Sequence, residues 1–228
     1  MVDAKQLRHI PLFQQVSAHR LSQMLSGAEV ERYQKGASLF RQGERAEAMW
    51  VVLEGWVHLV RSSSDDDGSH AVVLFTITPR EVLCGISAIE SGTYNLSAVA
   101  GTNCNALRIR GEVFNDALAQ EPGFAYQALR LCARRIQNIA QQYGTMAEPV
   151  SKRVVRSILR LREQFGKTLP VTHRELGRMA WTTTESAIRV VRVLKQQGYL
   201  SGARGRLIIK QSGALERLVT PQKGKGNL

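Results

Sequence analysis

The spacing of hydrophobic positions changes character along the chain. Over residues 3–27, Ile10, Leu12, Phe13, Val16, Leu21, Met24 and Leu25 form a helical stripe broken at Pro11, which predicts an amphipathic helix packed on the domain after it. From about Val30 to Arg110 the pattern shortens to strands at 38–40, 49–53, 57–60, 71–77 and 96–99. Gly36, Gly43, Gly55, Gly68 and Gly101 fall between or beside them, as the turns of a compact β-roll or barrel require. Residues 62–69 (SSSDDDGS) read as a polar hairpin tip; the acidic run lacks the alternating ligands and downstream Glu of a calcium loop. Pro122 then opens a helix to about Met146. Its apolar residues Ala125, Leu129, Cys132, Ile136, Ile139, Tyr143 and Met146 recur in steps of four and three, a heptad seam that predicts a parallel dimer helix.

Glu148-Pro149 ends that helix, and residues 151–165 predict another with Val154, Val155, Ile158, Leu159 and Leu161 on its apolar side. A short strand at 169–171 leads into THRELGRMAWTTTESAIRVVRVLKQQGYLSGARGRLIIK. Thr172 and Glu175 have capping-box spacing, and Leu176, Met179 and Ala180 form the stripe of a first helix. After a turn at Trp181-Thr182, a second helix over about 183–197 carries Ala187, Ile188, Val190, Val191 and Leu194, with Gly198 at its C-terminal end. Two short strands around a glycine- and arginine-bearing tip complete a winged helix-turn-helix. The expected organisation is α+β: a roll with N-terminal helices (1–121), a dimerisation helix (122–147), a winged domain (148–220) and a disordered tail (221–228).

Charge sharpens this picture. Residues 151–228 hold 17 Lys+Arg against 4 Asp+Glu, whereas the first 150 residues hold 14 against 15, so the whole net charge of +12 resides in the last third. Such asymmetry is the footprint of a polyanion partner and, with the helix-turn-helix pattern, points to DNA. No charged-then-apolar leader and no apolar run near ~20 residues is present, so the cytoplasm, with no membrane association, is expected. Cys84, Cys104 and Cys132 lie far apart, and His9, His19, His58, His70 and His173 show no ligand spacing, so neither a disulfide framework nor a metal site is predicted. No nucleophile elbow, P-loop or other catalytic constellation appears, and an enzyme is not expected.

The order roll, long helix, winged helix-turn-helix resembles the Crp/Fnr family of bacterial transcription regulators. The resemblance rests on KGASLFRQGERAEAMWVVLEGWVHL (residues 35–59) and on VTHRELGRMAWTTTESAIRVVRVLKQQGYL (residues 171–200), followed by a wing and SGALERL. It implies a double-stranded β-helix of jelly-roll type as the sensor domain, a homodimer, a palindromic operator with TGA-like half-sites, and RNA polymerase as a partner. The family's cyclic-nucleotide binders carry a Gly-Glu pair for the ribose and an Arg-Ser pair for the phosphate. In the matching stretch CGISAIESGTYNLSA, Gly85 and Ser97 hold the glycine and serine positions, but Ile86 replaces the Glu and Leu96 the Arg. Cyclic AMP is therefore not expected as effector. The N-terminal cysteines of the family's iron–sulfur sensors are absent as well. A haem remains compatible, with His58, His70 and Cys84 as axial candidates by position alone. An apolar effector and no effector at all both stay open.

For DNA, the resemblance implies that the second helix enters the major groove, with Glu185 and Arg189 matching the family's Glu and Arg four residues apart. Arg suits guanine O6/N7 and Glu suits cytosine N4. Thr184 and Ser186 are further base candidates, and Thr172, Thr182, Thr183, Arg204 and Arg206 are backbone candidates. Glu185 has a rival role, closing a capping box with Thr182. The competing function is a small-molecule or haem sensor acting through a protein partner, which the C-terminal basic excess disfavours.

Overall fold

A computed structural model of the chain describes residues 7–61, 72–83, 87, 89, 92–203 and 205–220. The chain divides into two compact units, Met1–Gln141 and Gln142–Leu228.

In the first unit the expected N-terminal helix is broken. Pro11–Phe13 is a single 3-10 turn, and α1 (Ala18–Leu25) starts afresh with Ser17 as N-cap, its side chain accepting from the Arg20 amide. The apolar stripe survives this, because Leu12, Phe13, Val16, Leu21 and Met24 are all buried. Eight strands follow: β1 (Glu29–Tyr33), β2 (Ser38–Phe40), β3 (Ala48–Glu54), β4 (Val57–Arg61), β5 (Val72–Ile77), β6 (Val82–Leu83), β7 (Ser97–Ala100) and β8 (Cys104–Arg110). They form two antiparallel four-stranded sheets, ordered β1-β8-β3-β6 and β2-β7-β4-β5, which is the expected jelly-roll. Strands β1, β6 and β8, and the helix α2 (Gly111–Gln120), were not predicted from the pattern; the strand expected at 96–99 lies one residue further on.

The continuous apolar run of β3 has a direct cause: both its faces are covered. Met49 and Val51 join Leu107 and Ile109 of β8 under the helices, while Ala48, Trp50 and Val52 point between the sheets with Phe40, Leu59 and Tyr94. Gly101 lies where a Cβ would collide with the Trp56 indole nitrogen and come within 2.9 Å of His58 Nε2, so only glycine fits there.

The long helix α3 (Pro122–Gly144) ends earlier than expected, leaving Met146 in the turn beyond it. Its Phe124 and Ala128 belong to the core beneath the roll, with Leu131 packed against them.

The second unit is built on α4 (Val150–Phe165), which buries Val154, Val155, Ile158 and Leu161. It continues through β9 (Thr168–Leu169), α5 (His173–Met179), α6 (Thr184–Gln196), β10 (Leu200–Ser201), β11 (Leu207–Ile209) and α7 (Ser212–Val219). The wing is a three-stranded sheet, β10-β11-β9, because Leu207 and Ile208 pair back onto Leu169 and Thr168. The strand expected at 169–171 is thus shifted towards the N-terminus, and α7 was not anticipated. The tail at 221–228 lies outside the described residues.

Candidate nucleic-acid interface

The helix-turn-helix is assembled by local chemistry. At the start of α5 the capping box forms as predicted: Thr172 Oγ1 accepts from the Glu175 amide at 3.2 Å, and the Glu175 carboxylate accepts from the Thr172 amide at 2.7 Å. At its end, Trp181 N–H donates to Arg178 O (3.4 Å) and Thr182 N–H to Gly177 O (2.9 Å), the two bonds of a Schellman motif. Trp181 occupies the left-handed position of that motif, φ +51°, normally filled by glycine. Gly177 lets the turn close, since a Cβ there would sit 3.1 Å from the carbonyl oxygens of both Thr182 and Thr183.

Thr183, not Thr182, caps α6; its Oγ1 accepts from the Ser186 amide at 3.2 Å. Glu185 is consequently the second residue of the helix, and the capping box with Thr182 does not form. Ala187, Val191 and Leu194 anchor the inner side of α6, leaving Glu185, Arg189, Arg192 and Gln196 exposed at helical spacing on the outer one. Thr184 and Ser186 are half-buried beside them, Ser186 Oγ lying 3.2 Å from Thr183 Oγ1. Thr182 is half-buried in the turn and Arg206 exposed at the wing, while Arg204 lies outside the described residues.

Two further residues shape this surface. Lys195 Nζ donates to Gly202 O at 2.8 Å, tying α6 to the wing. Arg153 of α4 donates to the turn of the helix-turn-helix. Neither was singled out from the sequence, because a basic side chain on a basic domain gives no sign that its partner is a carbonyl. Burial and Lys195 hold the His173 pKa below its ordinary value of 6.5, which disfavours its charged form.

On α3 the heptad positions face outward. Leu129, Ile136 and Tyr143 are 67%, 66% and 71% exposed, Ile139 and Met146 are also exposed, and Ala125 and Cys132 are half-buried.

Residues 30–121 match the cyclic nucleotide-binding domain family, and residues 152–218 match the Crp-like helix-turn-helix domain family. Together these spans cover more than half of the chain. The chain belongs to the Crp/Fnr family. Among relatives, it is 26% identical to the cyclic AMP receptor protein of Thermus thermophilus, over 91% of this chain and 96% of that one. To the cAMP-activated global transcriptional regulator CRP of Salmonella typhimurium it is 23% identical, covering 83% and 92%. In fold it is similar to FixK2 from Bradyrhizobium japonicum (TM-score 0.76, 18% identity, 86% of this chain and 98% of that one). It is also similar to the c-di-GMP responsive global regulator CLP of Xanthomonas campestris (TM-score 0.72, 22% identity, 85% and 99%). The protein is a DNA-binding transcriptional regulator of the Crp/Fnr type, and CRP of Salmonella typhimurium and CLP of Xanthomonas campestris are both named global regulators.

In this Crp/Fnr chain two of the residues singled out on the roll are engaged within it. Leu96 packs against the cluster between the two sheets, and Ser97 Oγ accepts from the Gln42 amide at 2.9 Å. Gly85, Ile86, Cys84 and His70 lie outside the described residues. His58 is buried on β4 with Nδ1 3.1 Å from Thr76 Oγ1. Cys104 is buried, which pushes its thiol up to about 11. Among the described residues, no group of three or more His, Cys, Asp or Glu could hold a metal ion, and no helix is long and apolar enough to cross a membrane.

Proposed function

We propose that this Crp/Fnr regulator binds a palindromic operator as a homodimer, reads base edges with Glu185 and Arg189, and answers to an effector other than cyclic AMP. The observation that carries the reading is the outer side of α6. Its inner residues are locked into the core, Thr183 takes the capping role, and Glu185 and Arg189 stand exposed one helical turn apart. A guanidinium and a carboxylate so placed match a guanine and a cytosine edge. Thr184 and Ser186 flank them as further base contacts, while Thr172, Thr182, Thr183, Arg204 and Arg206 position the phosphate backbone.

Dimerisation is supported by the outward heptad seam of Leu129, Cys132, Ile136, Ile139 and Tyr143, continued by Met146, an apolar stripe that a second copy would cover. Two α6 helices about 34 Å apart then address successive major grooves. The departure from cyclic AMP is supported by Ile86 and Leu96, which remove the carboxylate and guanidinium that ribose and phosphate require. Gly85, Ile86, Leu96 and Ser97 remain the stretch where an effector would act. The named relatives differ in their own effectors, cyclic AMP in two and c-di-GMP in a third, so the fold does not dictate one. RNA polymerase is the expected partner and the cytoplasm the expected site of action.

The test begins with selection of duplexes from a randomised library by the full-length protein, then anisotropy titrations of the recovered duplex and a scrambled one. Arg189→Ala should cost roughly 1–3 kcal/mol on the recovered duplex and little on the scrambled one. Equal weakening of both would refute base reading. Calorimetric titration with cyclic AMP should show no tight binding, and a micromolar isotherm would refute the effector assignment.

A further inference from the structure

We infer that Arg153, on α4, is a positioning residue for sequence recognition: it holds the turn that aims α6. The inference rests on the proposed reading that α6 contacts base edges. Its own support lies elsewhere, in the carbonyls of the turn.

A Schellman motif satisfies the last carbonyls of the helix it ends but leaves those of the turn itself to find donors. Here they are Ala180 O and Trp181 O. A single nitrogen, Arg153 Nη1, donates to both, at 3.1 and 2.8 Å. Trp181 sits at φ +51°, a conformation an L-residue with a large side chain adopts only when its surroundings impose it. The surroundings that impose it are visible. On the α5 side Gly177 leaves room for the turn and its carbonyl accepts from the Thr182 amide at 2.9 Å, and the Arg153 guanidinium draws the two carbonyls from the α4 side.

Arg153 is a firm post for this task. Its neighbours Val154 and Val155 are buried, and its own carbonyl accepts from the buried Ser157 hydroxyl at 3.0 Å. Downstream the consequence is short-ranged. Thr183 caps α6 two residues after Trp181, and Glu185 follows two residues later. A change in the Trp181 torsions therefore swings the first turn of α6, where Glu185 lies, and a misaimed helix loses base contacts while phosphate attraction persists. Charge-assisted bonds to carbonyls resist such a change better than neutral ones.

The experiment uses the full-length protein, with Arg153→Met and Arg153→Lys beside the wild type. Each is titrated with the library-recovered duplex and with its scrambled counterpart, and each is followed by amide hydrogen exchange. Arg153→Met should lose on the order of tenfold on the recovered duplex and less than about threefold on the scrambled one. Exchange should quicken over 180–186 and stay unchanged over 150–165. Because both bonds come from one nitrogen, Arg153→Lys should recover most of the loss. Full affinity of Arg153→Met, or a parallel loss on both duplexes with α4 also exchanging faster, overturns the positioning role. A wild type that binds both duplexes alike overturns base reading itself, and in that case the exchange at 180–186 still decides whether Arg153 holds the turn.

Discussion

The outward seam of α3 makes a quantitative demand. Ile136 is 66% exposed in the single chain, and in a heptad pairing it meets the same residue of a second copy. Full burial of such a side chain is worth about 1.5–3 kcal/mol, so covering two-thirds of it contributes roughly 1–2 kcal/mol per protomer. Ile136→Glu forfeits this twice in one dimer, roughly 2–4 kcal/mol, and sets two carboxylates against each other. The dimer dissociation constant should therefore rise by at least one to three powers of ten. Sedimentation equilibrium over nanomolar to micromolar concentrations measures it directly. Arg134→Glu is the control, because Arg134 occupies the heptad position farthest from the seam and is exposed; it should leave the constant within a few-fold. A dimer that survives Ile136→Glu unchanged, or falls apart equally with Arg134→Glu, refutes the seam.

Further outcomes can be checked on the same preparations. Arg156 donates to both carboxylate oxygens of Glu148, at 2.7 and 2.8 Å, holding that carboxyl below its ordinary value of 4.5. A depressed folded value means the contribution is present above 4.5 and lost as pH falls through the folded value. Glu148→Gln should cost about 1 kcal/mol at pH 7, with the gap to wild type closing in urea melts below pH 4.5. A gap that is constant with pH counts against the pair. Gly101→Ala should destabilise the N-terminal unit by roughly 1–3 kcal/mol, through the collision with Trp56. An unshifted thermal midpoint would show that the roll can yield there.

The sequence made the C-terminal unit more legible than the roll, for physical reasons. Helices announce themselves by caps and a 3.6-residue period, and Thr172, Glu175 and the stripe of α6 obey both. The one ambiguity was three successive threonines. It resolved towards Thr183 because Trp181, in the left-handed region, extends the turn by a residue. In the roll, β1 reads EVERY, a sheet-edge strand whose side chains are exposed or half-buried, so no apolar alternation marks it. Central strand β8 hides its period because Asn105 and Arg108 interrupt a run buried on both faces. At the proposed interface, Glu185 and Arg189 could be named from the family resemblance. Arg153 could not, because its partners are backbone carbonyl oxygens that converge on it only once the turn is folded.

The two halves of α3 have different dependencies. Phe124, Ala128 and Leu131 fasten its first part to the roll, but from Ile136 to Gly144 every described side chain is exposed. As an isolated peptide so short a segment would be marginal as a helix in water, so its helical form leans on the first half and on whatever covers its apolar side. In the proposed dimer, folding of that segment would be coupled to association, because a partner's seam would cover its apolar side chains. Helix content should then rise with protein concentration, and the amount of regulator present would set the fraction in which α3 runs intact to its end.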